Sequence, residues 1–205
     1  MKKEAYKQYM REVDNWLYRG RRLLLETCLD LYLPSLKLEE KATQILEIGA
    51  GHGKNIEVLS KFGVIDAIEI EPMAIDILNS NIFVRRLYSE KVPFSLDHTY
   101  DVICAMDFLE HVENDKQAFL WMVEHLNHNG ILFLTVPAYQ FLFSYHDVAA
   151  CHYRRYGLKK LVALNLYGLI LLKKGYFNSF LFPIAAVSRI LGRMRMNINE
   201  IQKKQ

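Results

Sequence analysis

The sequence predicts a doubly wound α/β domain, a mostly parallel sheet with helices on both faces. Three observations carry this. Short apolar segments alternate with stretches of helical spacing along the whole chain. One of them, Ile131 to Val136, is a near-continuous apolar run, as expected of a central strand buried on both faces. The first strand also runs directly into three alternating glycines, Gly49, Gly51 and Gly53, before a helix begins.

Composition bounds the rest. The chain has 205 residues, 51% of them apolar and 12% aromatic, which fits one packed domain with a sizeable core. A net charge of +3, with no basic tract, gives no reason to expect nucleic acid. The opening Met1-Lys2-Lys3-Glu4 is not followed by an apolar leader segment. No apolar run reaches the ~18 residues of a membrane span; Leu161 to Leu172 is interrupted by Asn165 and Gly168, and Phe180 to Ile190 by Pro183 and Arg189. Cys28, Cys104 and Cys151 are widely spaced, which suits a reducing compartment, and a cytoplasmic location is expected. The seven histidines are scattered and none pairs with cysteine at zinc-like intervals, so no metal site is expected. Oligomeric state is not legible.

The elements follow in order. Trp16, Leu17, Leu24, Leu25, Cys28 and Leu31 recur at helical spacing within a helix over residues 4 to 32, and Pro34 ends it. Strand 1 is Gln44 to Ile48, and a short helix runs from Lys54 to Lys61 after the glycines. Strand 2 is Val64 to Ile70, and the next helix runs from Pro72, which suits a first-turn position, to Ile82. A short strand 3 falls at Val84 to Tyr88. Strand 4 is Tyr100 to Ala105, a helix spans Asn114 to Leu126, and Asn127 to Gly130 reads as a turn before strand 5. Residues 137 to 157 form a long polar and aromatic loop, a length that usually signals function. A helix over Leu158 to Leu166, a strand 6 over Leu169 to Phe177 and an apolar helix over Pro183 to Leu191 complete the reading.

The glycine turn excludes two common nucleotide motifs. A G-x-G-x-x-G/A motif counted from Gly49 fails at Lys54. A phosphate loop fails because Asn55 replaces Ser/Thr and Ile48 replaces the first glycine. What remains is E-x-G-x-G-x-G, carried by Glu47, Gly49, Gly51 and Gly53. Glu69 stands twenty positions after Gly49, at the end of strand 2, where a carboxylate accepts hydrogen bonds from two ribose hydroxyls, and Glu71 is close enough to compete for that role. The bland alternative is a strand–turn–helix corner with solvated glutamates.

These residues resemble motif I of the class I S-adenosylmethionine (SAM)-dependent methyltransferases, which have a Rossmann-like fold. Asp107-Phe108-Leu109-Glu110-His111-Val112 resembles the family's D-x-L-E-H-V segment after strand 4. Val136-Pro137-Ala138, His146-Asp147 and His152-Tyr153-Arg154-Arg155-Tyr156 are similar to a bacterial, quinone-biosynthesis-like subgroup. The resemblance implies SAM as methyl donor, S-adenosylhomocysteine (SAH) as product, and an acceptor that is a small molecule or lipid-linked, with methylation on oxygen favoured over nitrogen or carbon. It places Glu47, Gly49, Ala50, Gly51, Gly53, Glu69, Ile70, Ser89, Asp107 and Phe108 around the cofactor. The family's adenine-binding acid after strand 3 is missing; Tyr88 aligns there, with Ser89 beside it.

His111, His146 and His152 are the candidate bases, with Asp147 orienting a histidine and Arg154 and Arg155 holding an anionic acceptor group. A purely structural clasp of Asp147 with an arginine is the alternative. By organisation, residues 1–40 form a helical cap, 41–192 the SAM-binding domain and 193–205 a polar tail. The family's seventh strand has no evident counterpart. Two rival functions stay open: a SAM/SAH-binding protein without catalysis, and a peripheral membrane protein using the apolar and basic residues between Lys173 and Arg195. For those apolar residues, covering the sheet is the favoured role.

Overall fold

The computed structural model describes residues 16–35, 42–165, 168–184, 186–187 and 189. Among them is a five-stranded, wholly parallel sheet in the order β3-β2-β1-β4-β5. The strands are β1 (Gln44–Ile48), β2 (Val64–Ile68), β3 (Val84–Tyr88), β4 (Tyr100–Met106) and β5 (Leu126–Thr135). The chain winds outward from β1 through β2 to β3, then returns past β1 to β4. The resulting switch point between β1 and β4 opens a crevice at the carboxyl ends of the strands.

Period-two alternation divides the sheet's side chains between two cores. Ile45, Ile65, Ala67, Val102, Cys104 and Met106 meet Leu25 and Leu29 of α1 (Trp16–Tyr32), Ile56 and Leu59 of α2 (Ile56–Leu59), and Leu78 of α3 (Pro72–Asn79). On the other face, Leu46, Ile48, Ile68, Ile103 and Ala105 meet Ala118, Phe119, Trp121 and Met122 of α4 (Asp115–Glu124). The stripe that α1 buries is Leu25 and Leu29, one turn apart, while Trp16 and Leu31 stay exposed. Near the amino end of β2, the fully buried Asp66 is paired by Arg85 through two 2.8 Å bonds and by the Tyr100 hydroxyl at 2.9 Å.

Several predicted boundaries move. The turn at Asn127 to Gly130 lies inside β5, where the pairing register with β4 shifts between Tyr100 and Val102 and Asn129 takes φ 64°. The segment Leu169 to Phe177 is not a strand. Asn165 accepts from the Leu169 amide at 3.0 Å and donates to its carbonyl at 2.6 Å, occupying the groups a ladder would use. The helix from Leu158 ends at Val162. The apolar arm beyond it does not cover the sheet: Ile170, Phe180 and Ile184 are exposed. Among the described residues there is no sixth or seventh strand; the tail 193–205, and residues 1–15 of the cap, lie outside them.

Candidate functional site

The turn after β1 is built by its glycines. Gly49, Gly51 and Gly53 have φ 71°, 55° and 75°, a region that L side chains avoid. A Cβ on Gly53 would also stand 2.9 Å from Asn81 Nδ2 and 3.0 Å from Leu78 Cδ2. Gly53→Ala is therefore expected to cost about 1–3 kcal/mol of stability, read from denaturant unfolding.

Two carboxyls grip this turn from opposite sides. Glu69 accepts the Gly51 amide on one oxygen at 2.7 Å, and the Ile70 and Glu71 amides on the other at 2.7 and 2.8 Å. Glu47, 1% exposed, accepts from Asn55 Nδ2 at 2.7 Å. Burial pushes the Glu47 carboxyl up to about 8; the Asn55 hydrogen bond opposes this and Glu69 adds to it. A solvent-open cleft lies beside the turn, lined by Tyr18, Arg21 and Arg22 of α1 together with Gly49, Ala50, Lys54, Asn55 and Met106. Asp107, at φ 55° just past β4, forms an ion pair with Arg21 and accepts from Thr135 Oγ1 at 3.1 Å. Phe108 lies over Gly49.

A second cluster forms where the loop after β5 folds back. The Tyr153 amide donates to the Glu110 carbonyl at 2.7 Å, drawing the loop against the turn after β4. His152 meets His111 edge to face, ring centroids 4.6 Å apart. Asp147, 1% exposed, takes His152 Nδ1 at 3.0 Å and Arg155 Nε at 2.7 Å on one oxygen, and the Ser144 amide at 2.9 Å on the other. Burial alone would raise Asp147, but these bonds outweigh it and hold the carboxyl well below its ordinary range. Arg154 donates to the Val112 and Glu113 carbonyls and pairs with Asp115 at 3.2 Å.

Glu110 is fully buried and, among the described residues, neither carboxyl oxygen has a hydrogen-bond partner; burial pushes it up to about 8. His111, although exposed on one side, is lowered by desolvation of its ring and by His152. Glu110, His111 and His152 each bring one ligand atom within 4.8 Å of the others, a donor set that suits a divalent ion. Spacing along the chain hides this trio, since no interval between its members marks a metal site in the sequence.

The fold thus gathers Glu47, Gly49, Ala50, Gly51, Gly53, Glu69, Asp107 and Phe108 around one crevice. Ile70, 50% exposed, and the exposed Ser89 lie at the ends of the neighbouring strands. His152, rather than the exposed His146, is the histidine that Asp147 holds. Arg155 pairs with Asp147, whereas Arg154 pairs with Asp115 and two main-chain carbonyls. Asn55 and Tyr18 escaped the sequence reading. Asn55 had appeared only as a misfit to a phosphate loop; Tyr18 carries no signal beyond lying one helical turn from Arg21 and Arg22.

Comparison with known proteins places this arrangement. Residues 18–170 match the family model described as "Methyltransferase domain". A ubiquinone biosynthesis O-methyltransferase of Rickettsia typhi is 32% identical over 104 residues, covering 45% of this chain and 40% of that protein. The mitochondrial ubiquinone biosynthesis O-methyltransferase of Schizosaccharomyces pombe is 28% identical over 101 residues, covering 45% and 37%. The chain therefore spans less than half the length of these relatives. Among solved structures, the plantazolicin methyltransferase BpumL, in complex with a monoazolic desmethylPZN analog and SAH, has a TM-score of 0.65 at 20% identity, covering 81% of this chain and 68% of that one. SAM-bound CalS10, an amino pentose methyltransferase from Micromonospora echinaspora, has a TM-score of 0.51 at 17% identity, covering 65% and 60%. The structures share the fold, and the family model, which matches most of the chain, shows that the chain belongs to the methyltransferase domain family.

Proposed function

We propose that the chain binds SAM in the crevice after β1 and transfers its methyl group to an oxygen of a small-molecule or lipid-linked acceptor, releasing SAH. The observation that carries this reading is the pair of buried carboxyls, Glu47 and Glu69, set around three glycines at positive φ. Glycines let the cofactor approach the main chain. The carboxyls suit a ligand with a sulfonium, an ammonium and a ribose but no pyrophosphate. Arg22 and Lys54 line the cleft and suit the cofactor's carboxylate. The O-methyltransferase names of the relatives favour oxygen as the acceptor atom.

Methyl transfer is an in-line displacement. The acceptor oxygen forms the new C–O bond, the C–S bond breaks, and its electron pair stays on the departing SAH. Holding the two reactants in line supplies up to ~7–11 kcal/mol. His152 is the base in this reading: Asp147 holds Nδ1, leaving Nε2 to take the hydroxyl proton and pass it to water. His152→Ala should lower kcat on a hydroxyl acceptor by about 100-fold or more and leave SAH affinity within a few-fold.

The test is transfer of labelled methyl from SAM to a panel of phenols, catechols and amines. An O-methylated product supports the reading. Product on nitrogen alone would overturn its oxygen part, and SAH binding with no product on any acceptor would favour a binding protein. A second reading, that the arm docks on a membrane, is favoured by the exposure of Ile170, Phe180, Ile184 and Val187 beside Lys173 and Lys174. Among the described residues no helix is long and apolar enough to cross a membrane. Liposome flotation with and without anionic lipid checks this second reading, and no binding in either case ends it.

A further inference from the structure

The two halves of α1 are fastened differently. Its buried anchors, Leu25 and Leu29, both lie in the second half. The first half carries Tyr18, Arg21 and Arg22, which line the cleft together with Gly49, Ala50 and Met106, and none of the three is buried. Arg21 ties this half to the sheet through its ion pair with Asp107. Phe177 of the arm ties it elsewhere, resting against Gly20, where a Cβ would stand 2.9 Å from the ring's Cζ. A glycine inside a helix costs stability relative to alanine, and here it makes room for that ring.

Asp107 is set up to receive Arg21. It stands just past β4 at φ 55°, a conformation that L residues rarely adopt. Thr135 of β5 fixes it twice: the Asp107 amide donates to the Thr135 carbonyl at 2.9 Å, and Thr135 Oγ1 donates to Asp107 Oδ1 at 3.1 Å. Oδ2 is thereby presented to the Arg21 guanidinium, which also lies 4.8 Å from the centre of the Tyr18 ring. The pair stays in touch with water, its side chains being 18% and 34% exposed. An ion pair that open to solvent adds little stability and is weakened by salt. It can break and re-form while Leu25 and Leu29 keep the rest of α1 packed.

We propose that Arg21 and Asp107 form a latch on the crevice: the first half of α1 closes over the cofactor when the pair forms and opens when it breaks, so the pair sets the rates of cofactor entry and SAH departure. This inference rests on the cofactor reading above. Arg21 is a positioning residue, since it acts through Asp107 and the helix that carries it. The arm extends the device. Tyr176 stacks on Tyr139 of the loop after β5, ring centroids 4.9 Å apart, while the adjacent Phe177 meets Gly20. One short stretch of arm therefore joins α1 to the loop that carries His152.

The experiment is stopped-flow mixing of the full chain with SAH, followed by release on dilution, so that association and dissociation rates are read separately. Arg21→Gln should raise both rates by about fivefold and leave Kd within about twofold, because the helix must open for entry as well as for departure. Arg21→Lys keeps the charge and should recover part of the slow behaviour. Adding Arg21→Gln to Asp107→Asn should change the dissociation rate by less than about twofold, the mark of one shared interaction. Phe177→Ala, which lies outside the cleft, should raise both rates in the same sense by a smaller factor. Raising salt from about 0.05 M to about 1 M should quicken SAH release from the parent and leave Arg21→Gln nearly unchanged. A faster dissociation alone, with affinity lost in proportion, would make Arg21 a cofactor contact and overturn the latch. Unchanged rates in Arg21→Gln would overturn it too. In both cases SAH binding by the parent leaves the cofactor reading standing, whereas a folded parent that binds no SAH would overturn both. Melting curves identify any variant that has not folded, and the salt dependence of the parent stands without them.

Discussion

Glu69→Ala is expected to weaken SAH binding by at least about 10-fold while the sheet stays folded. Glu69 does two jobs with one side chain. It accepts three main-chain amides, from Gly51, Ile70 and Glu71, and so fastens the glycine turn to the end of β2. Three of its roughly four lone-pair sites are taken by these amides, two on Oε1 and one on Oε2, which leaves one on Oε2 for a ribose hydroxyl. A hydrogen bond to a charged group contributes about 1.5–3 kcal/mol, so losing it weakens binding by about 10-fold at the low end. Releasing the Gly51 amide adds to the loss, since a turn at positive φ is then held by fewer bonds. Glu69→Gln keeps the shape but sets an NH₂ group against amide donors, and should fall between parent and Ala. 5′-Methylthioadenosine, which retains the ribose, should lose affinity in parallel. Calorimetry beside a melting curve decides the matter. A folded Glu69→Ala that binds SAH within about threefold of the parent would remove Glu69 from the ribose site.

Features written locally were legible in the sequence, and features made by side chains meeting across the fold were not. The glycine turn lies within seven residues of Glu47, and Glu69 stands at a fixed interval from Gly49, so E-x-G-x-G-x-G and one carboxylate sufficed to locate the crevice. The strands β1 and β4 were legible because burial on both faces leaves apolar runs; β5 has the same apolar run but, against the expectation of a central strand, is half-buried at the edge of the sheet among the described residues. Leu169 to Phe177 has the composition of such a strand, but the two bonds from Asn165 divert its first residue, and no spacing rule records that. Asn55 was invisible as a partner of Glu47 because its position matters only once α2 has turned it back toward β1. The choice between His146 and His152 was equally closed to sequence. It is made by the capping box at Ser144, which directs Asp147 inward toward His152. Glu110 reaches the histidines only because the Tyr153 amide ties two distant loops together.

The Asp147→Ala variant should lose about 3–5 kcal/mol of stability, the usual cost of removing one partner from a buried ion pair. Asp147 is the only described carboxylate that the loop after β5 offers to Arg155, whose side chain is 12% exposed. Without it, Arg155 and the nearby Arg189 lose the carboxylate that pairs with both, and His152 loses its Nδ1 partner. The first turn of the short helix Tyr145–Ala149 also loses the Asp147 half of its capping box. At roughly 2–4 °C per kcal/mol for a chain of this size, the melting temperature should fall by roughly 6–20 °C. Asp147→Asn should keep more of the fold, since its amide oxygen can still accept from Arg155. It should nonetheless lower kcat on a hydroxyl acceptor, because the same amide oxygen still holds His152 Nδ1 but no longer charge-stabilises the protonated ring. SAH affinity in Asp147→Asn should stay near that of the parent, since the glycine turn and both of its carboxyls are carried by β1 and β2. A split of that kind separates the hub from the cofactor crevice: stability and methyl transfer depend on Asp147, while cofactor capture does not. Unfolding of Asp147→Ala within about 1 kcal/mol of the parent would show that the loop is held by Arg154 and Tyr156, through Asp115, and that Asp147 serves His152 alone.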